Sequence, residues 1–214
     1  MYEIFASGEG EYTEKKSRFI SMVASVKSEE EAMAFLESKK KQYYDARHNC
    51  SAWRLCDASG EIRSRFSDDG EPSGTAGKPI LEVLEGSGLV NAVCVVTRYF
   101  GGVLLGTGGL VRAYTEGAKR AVAAAKTGER RQGIFFDIET DYHGYGKVEY
   151  LLRAADVAII SIEYEAGVVL KTIVEEEQLT RLKQQITEAT AGQAVMKEGD
   201  AAGFAVIDGE VVLL

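Results

Sequence analysis

The residues Ala92-Val93-Cys94-Val95-Val96-Thr97 form an unbroken apolar, β-branched run. Side chains of a strand alternate between its two faces, so a run with no polar alternation belongs to a central strand of a sheet. The rest of the chain has to supply that sheet's other strands and its covering helices. With 214 residues there is room for one large domain or two modest ones, burying about 70% of the surface exposed when unfolded. Such a core needs no staples. The cysteines agree: Cys50, Cys56 and Cys94 are odd in number and lack C-x-x-C spacing, which points to a reducing compartment.

Upstream of the run, the segment from Glu14 to Ala24 passes from charged to alternating apolar and predicts a strand with one face buried. A helix follows, with Ser28 as its cap, Glu31 three residues on, an apolar stripe of Ala32, Phe35 and Leu36, and Lys39-Lys40-Lys41 at its negative end. The lysine run is read as a solvated helix end rather than a nucleic-acid patch. Residues 49–56 and 61–66 read as a hairpin. From Ser67 to Gly77 the composition disfavours regular structure, and Ile80–Glu85 reads as helix. After the apolar run come Arg98-Tyr99-Phe100 and a glycine-rich stretch, then a helix from about Leu110 to Lys126.

Thr127–Gly133 is polar, glycine-flanked and free of pattern, so the domain boundary is placed there. Beyond it the chain alternates strand (134–142), helix (145–155), strand (158–164), strand (168–174), helix (178–190) and strand (193–198). That βαββαβ order is ferredoxin-like. A turn at Asp208-Gly209 adds an edge hairpin. The fold class expected is α+β, in two domains.

The net charge is −8, which argues against indiscriminate nucleic-acid binding, including non-specific DNA binding. Its distribution is uneven. Residues 1–129 hold 17 Lys+Arg against 18 Asp+Glu, or −1, and the remaining 85 hold 8 against 15, or −7. An anionic partner should therefore meet the N-terminal part. Met1-Tyr2-Glu3-Ile4-Phe5 has neither a basic n-region nor a long apolar h-region. No apolar run approaches the roughly 18 residues of a membrane span. The expected location is the cytoplasm, with no membrane partner.

Two glycine-rich stretches invite a phosphate reading. Gly70–Lys78 fails as a P-loop, because the first glycine position is Pro72 and the position after the lysine is Pro79. Gly106-Thr107-Gly108-Gly109 is not a dinucleotide fingerprint, since Val111 holds the third glycine position. A weaker claim survives for it: glycines leading into a helix leave backbone N–H groups free at the positive end of the dipole, a generic anion site. Around these glycines cluster Arg47, His48, Arg65, Lys78, Arg98 and Arg112, with Arg98 at the end of the central strand, where open α/β sheets place ligands. For each arginine alone, a surface ion pair is the plainer reading. Asp68, Asp69 and Glu71 form an acidic loop open to a metal or an ion-pair role, although D-D-G-E spacing is not that of an EF-hand. No catalytic residue is assigned: His48 and His143 fall in different domains, and no nucleophile signature accompanies them. Trp53 and Tyr114 offer stacking faces or core packing.

Lys15–Ile20, Asp45–Cys50, Phe66–Pro79 and Arg98–Leu110 together closely resemble the IMPACT family in its bacterial YigZ/YvyE type, four blocks in order over most of residues 15–115. The resemblance implies an N-terminal domain over residues 1–129 with the fold shared by a ribosomal-protein second domain, the GHMP kinases and the fourth domain of elongation factor G. It implies a ferredoxin-like domain over 134–214 akin to that factor's fifth. Eukaryotic members regulate translation under amino-acid starvation through protein partners. Taken with the charge division, the resemblance leads to the expectation of a regulatory protein engaging RNA, the ribosome or a translation-related protein, with no cofactor; the clustered cations and glycines named above, Arg47, His48, Arg65, Lys78, Arg98, Gly106–Gly109 and Arg112, are the contact residues expected. Two alternatives stay open: an enzyme acting on a phosphorylated small molecule, and a protein-interaction module without nucleic-acid contact.

Overall fold

The computed structural model describes residues 1–57, 59–164, 166–207 and 209–213. They divide into two compact units, Met1–Gly128 and Glu129–Leu214.

The first unit runs β1 (Tyr2–Ala6), β2 (Gly8–Glu14), β3 (Ser17–Ser25), α1 (Glu29–Gln42), β4 (His48–Cys56), β5 (Ile62–Ser67), α2 (Gly77–Gly86), β6 (Ala92–Tyr99), α3 (Gly106–Ala124) and β7 (Lys126–Glu129). Five strands form an antiparallel sheet in the order β2-β3-β6-β4-β5, and β1 pairs with β7. The apolar run is therefore the middle strand. Its even residues Ala92, Cys94 and Val96 enter a core with Ile80 and Leu84 of α2 and Leu110, Tyr114 and Ala118 of α3. Its odd residues Val93 and Val95 enter a second core with Trp53 and with Ala32 and Leu36 of α1. A strand between two helical layers has no face left for polar side chains, which explains the missing alternation.

Ser28 caps α1, accepting the Glu31 N–H at 3.2 Å. The expected strand from Glu14 begins only at Ser17, because Lys15 and Lys16 adopt positive φ and turn the chain out of β2. Strand β2 lacks the usual strand composition, and Gly8 and Gly10 show why: a Cβ on either would overlap Ala121 or Arg120 of α3. Helix α3 starts at Gly106 rather than Leu110. Packing of Leu110, Ala113 and Tyr114 outweighs the low helix propensity of the glycines before them.

The second unit runs β8 (Arg131–Thr140), α4 (Tyr142–Ala154), β9 (Ala158–Tyr164), β10 (Val168–Val174), α5 (Glu176–Ala189), β11 (Val195–Ile207) and β12 (Glu210–Leu213). Its antiparallel sheet has the order β12-β11-β8-β10-β9. Apart from the added β12, this is the ferredoxin-like βαββαβ topology. Helices α4 and α5 bury Val148, Leu152, Leu182 and Ile186 against Phe136, Ile138 and Leu170.

Two expectations are corrected here. Thr127–Gly133 is not pattern-free loop, since β7 and the start of β8 lie within it; backbone pairing holds strands that the side chains do not announce. Strand β11 runs on to Ile207 past a bulge between Glu198 and Ala201 and pairs with β12 at Ile207↔Glu210. Of the expected turn, Asp208 lies outside the described residues. Among the described residues no helix is long and apolar enough to cross a membrane.

Cys50 and Cys94 are buried and Cys56 is half-buried. Burial pushes both buried thiols up, Cys94 to about 12, so neither supplies thiolate near neutral pH. A thiol reagent at pH 7.5 is expected to titrate one cysteine, Cys56, in the folded protein and all three in denaturant.

A candidate anion-binding cleft

Arg98, at the end of β6, faces the same side as Cys94 and Val96, toward α2 and α3. His48, at the start of β4, stands opposite it in register. Beyond Tyr99 the chain leaves the sheet and passes so close to the β2–β3 turn that a Cβ on Gly101 would overlap the Lys16 backbone. The Gly101 N–H donates to Ser17 Oγ at 3.2 Å. Gly106 then takes φ +70° and the chain enters α3.

Beneath this turn lies a buried polar network. Arg98 Nη1 donates to Glu71 Oε1 at 2.6 Å, and the two residues are only 6% and 9% exposed. The Tyr114 hydroxyl donates to the same oxygen at 2.8 Å. Burial, then the neighbouring Cys50 and Glu71, push the Tyr114 phenol far up, so it keeps the proton it donates. Arg98 Nη2 reaches Ser17 Oγ at 3.4 Å, and its guanidinium lies 5.6 Å from the ring centres of both Phe19 and Phe100. Its buried Nε has no hydrogen-bond partner among the described residues.

The loop from Asp68 to Gly77 closes the side. The Asp68 carboxylate accepts the N–H groups of Gly74, Ala76 and Gly77 at 2.8, 3.0 and 2.8 Å. Asp69, at φ +42°, accepts the Asn49 N–H at 2.6 Å through its carboxylate. Its carbonyl lies 2.9 Å from His48 Nδ1. A carbonyl only accepts, so Nδ1 carries the proton and Nε2 is the nitrogen left over.

These parts enclose a cleft of about 440 Å³. Arg47, His48, Arg98, Gly106 and Thr107 line it, together with Phe100, Leu104 and Pro72. At its rim the first turn of α3 has no side-chain cap and no acidic residue, and Gly106, Thr107 and Gly108 are exposed. Their N–H groups belong to the helix end that finds no acceptor within its own helix. An Arg112 nitrogen stands beside Gly108. Neither Arg47 nor Arg112, both exposed, forms an ion pair among the described residues.

The structure thus gathers Arg47, His48, Arg98, Gly106 and Thr107 into one cleft, with Gly108 and Arg112 beside it. It separates the others. Arg65 pairs with Glu29 at 2.7 Å and lines a different hollow with Trp53 and Met33, beside α1. Lys78 projects into solvent from α2, 4.0 Å from Glu82. Gly109 is buried against Leu105. Arg98 is buried and paired, so it is no open cation. Asp68, Asp69 and Glu71 are spent on amides and on Arg98, and no group of three metal-ligating side chains occurs among the described residues. Trp53 and Tyr114 are core residues. Sequence reading missed the apolar wall: Phe100 is 52% exposed and Leu104 82%. Large apolar side chains in a glycine-rich loop, with no periodicity to bury them, were the available sign.

A two-unit α+β chain with this cleft in its first unit can be placed among known proteins. Residues 15–122 match the model of the Impact N-terminal domain, and 138–193 match one described as a domain of unknown function (DUF1949). The chain belongs to the IMPACT family. It is 39% identical over 199 residues to the IMPACT family member YvyE of Bacillus subtilis, covering 93% of this chain and 91% of that one. A Protein IMPACT homolog of Saccharomyces cerevisiae is 36% identical over 97 residues, 44% of this chain and 37% of that protein. A crystal structure described as an hypothetical protein superposes with a TM-score of 0.57 at 36% identity, covering 91% of this chain and 95% of that one.

Glu71→Ala leaves the Arg98 charge buried without its carboxylate, and a loss of about 3–5 kcal/mol is expected in urea unfolding. Tyr114→Phe removes one hydrogen bond to the same carboxylate and should lose less, about 1.5–3 kcal/mol.

Proposed function

We propose that this chain is a translation-associated regulatory protein that binds RNA through the cleft of its N-terminal unit. The observation that carries the reading is the open first turn of α3, whose exposed residues share a cleft with Arg47 and stand beside Arg112, two arginines with no carboxylate partner among the described residues. Backbone N–H groups at the positive end of a helix dipole, flanked by free guanidinium groups, suit a phosphate. Family membership supports the link to translation, since eukaryotic IMPACT proteins regulate it. The charge division supports the choice of unit: the N-terminal part is close to neutral and the rest strongly acidic.

Ribosome cosedimentation and fluorescence anisotropy with ribosomal RNA fragments, at low and moderate salt, test this. Arg47→Ala/Arg112→Ala is expected to weaken binding and to lower the slope of log K against log salt by about 1.4, at roughly 0.7 per phosphate contact for single strands. Absence of association at either salt, or a double variant that binds like the parent, refutes the assignment. Nuclease-resistant capture of a single protein would favour an interaction module instead.

A second reading, an enzyme acting on a phosphorylated small molecule, rests on His48, which lines the cleft with Nδ1 engaged by the Asp69 carbonyl, so that Nε2 is the nitrogen a substrate would meet. A phosphorylated metabolite at a hundred times its Kd would add about 2.7 kcal/mol of stability. A thermal-shift screen with Mg²⁺ that finds no stabiliser removes this reading.

A further inference from the structure

Phe100 occupies an unusual position for a large apolar side chain. It is half exposed, comes directly after the central strand, and lines the same cleft as Gly106 and Thr107 at the start of α3. The Arg98 guanidinium lies over its ring and is itself fixed by Glu71 and Ser17. A cation over one face holds the ring's orientation, and the half-exposed ring keeps surface open on the lining of the cleft.

We infer that the cleft takes one unpaired nucleotide of an RNA strand, with its base stacked on Phe100 and its phosphate on the first-turn amides of α3 beside Arg112. The inference rests on the RNA reading above and specifies the form of RNA. Three observations carry it beyond a bare helix terminus. Arg98, which lines the cleft and is only 6% exposed, has a buried Nε–H with no acceptor among the described residues. The cleft of about 440 Å³ is concave and walled by Leu104 and Leu105 as well as by polar groups. Such a lining suits a ligand with a flat apolar body and one anionic end.

The third observation is electrostatic. Duplex binding draws its affinity from many neutralised phosphates, on the order of 6–10 contacts. Of the arginines that line the cleft or stand beside its glycines, Arg47 and Arg112 are the two without an ion pair among the described residues, in a segment of charge −1. Stacking must then supply what the charges do not, and a base inside a duplex cannot stack on a protein ring without leaving its helix.

Binding of the full chain is measured by anisotropy to a single-stranded RNA hexamer and to a duplex of the same sequence, with inorganic phosphate as competitor. The hexamer is expected to bind at least tenfold more tightly than the duplex. Phe100→Leu, which keeps most of the volume but not the ring, should weaken the hexamer roughly 5- to 150-fold, the range of one lost base stack. Phe100→Trp should retain binding, and RNA should quench the added indole.

Equal affinity for duplex and hexamer, with Phe100→Leu silent while Arg47→Ala/Arg112→Ala still weakens both, overturns the stacking inference and leaves the RNA reading standing. Displacement of the hexamer by phosphate with unchanged affinity in Phe100→Leu overturns it too, because the base then contributes nothing. Failure of the parent to bind either RNA at low salt removes the RNA reading together with the inference.

Discussion

The buried ion pair between Arg98 and Glu71 is the constraint on which the N-terminal unit depends. A guanidinium so little exposed is tolerable only with a carboxylate at hydrogen-bond distance. Its position at the end of the central strand therefore dictates where the loop after β5 must run. That loop brings Glu71 inward, and Tyr114 reaches over from α3 to share the carboxylate. Strand, loop and helix are tied at one oxygen atom. The cleft above inherits its shape from the tie, because Phe100 rests on the same guanidinium from outside while Phe19 supports it from the core.

The two glycine-rich stretches share a composition and reach opposite chemical ends. Around Gly74–Gly77 the amides at the start of α2 are consumed by the Asp68 carboxylate, so an internal anion already occupies the place a phosphate would take. At Gly106–Gly108 no side chain caps α3. Glycine content alone does not separate these cases. The difference lies in a carboxylate several residues upstream, delivered by a turn in which Asp69 and Gly70 both take positive φ.

Much of the fold was legible in the chain. The apolar run announced a strand buried on both faces, Ser28 with Glu31 announced the start of α1, and the alternation after residue 133 announced the ferredoxin-like unit. Strand β2 was not legible, because its glycines exist to let α3 pass close overhead, a demand made by a partner more than a hundred residues away. The site was half legible. Sequence placed cations and glycines in one region but could not tell Arg98, which faces inward, from Arg112, which stays in solvent; that depends on strand parity and helix phase once the sheet has formed. Arg65 was misplaced for the same reason. It sits opposite Trp53 and so shares the face of the sheet that α1 covers.

Ser17 makes the recess answerable to a segment far from its walls in the chain. Its one oxygen accepts from the Gly101 amide and from Arg98, so the turn between β2 and β3 is latched to both the wall and the floor of the cleft. No single stretch of polypeptide builds the pocket alone. A chain beginning after that serine could keep every glycine and arginine of the later blocks and still present no receptor, since the first hairpin would be missing from the clasp.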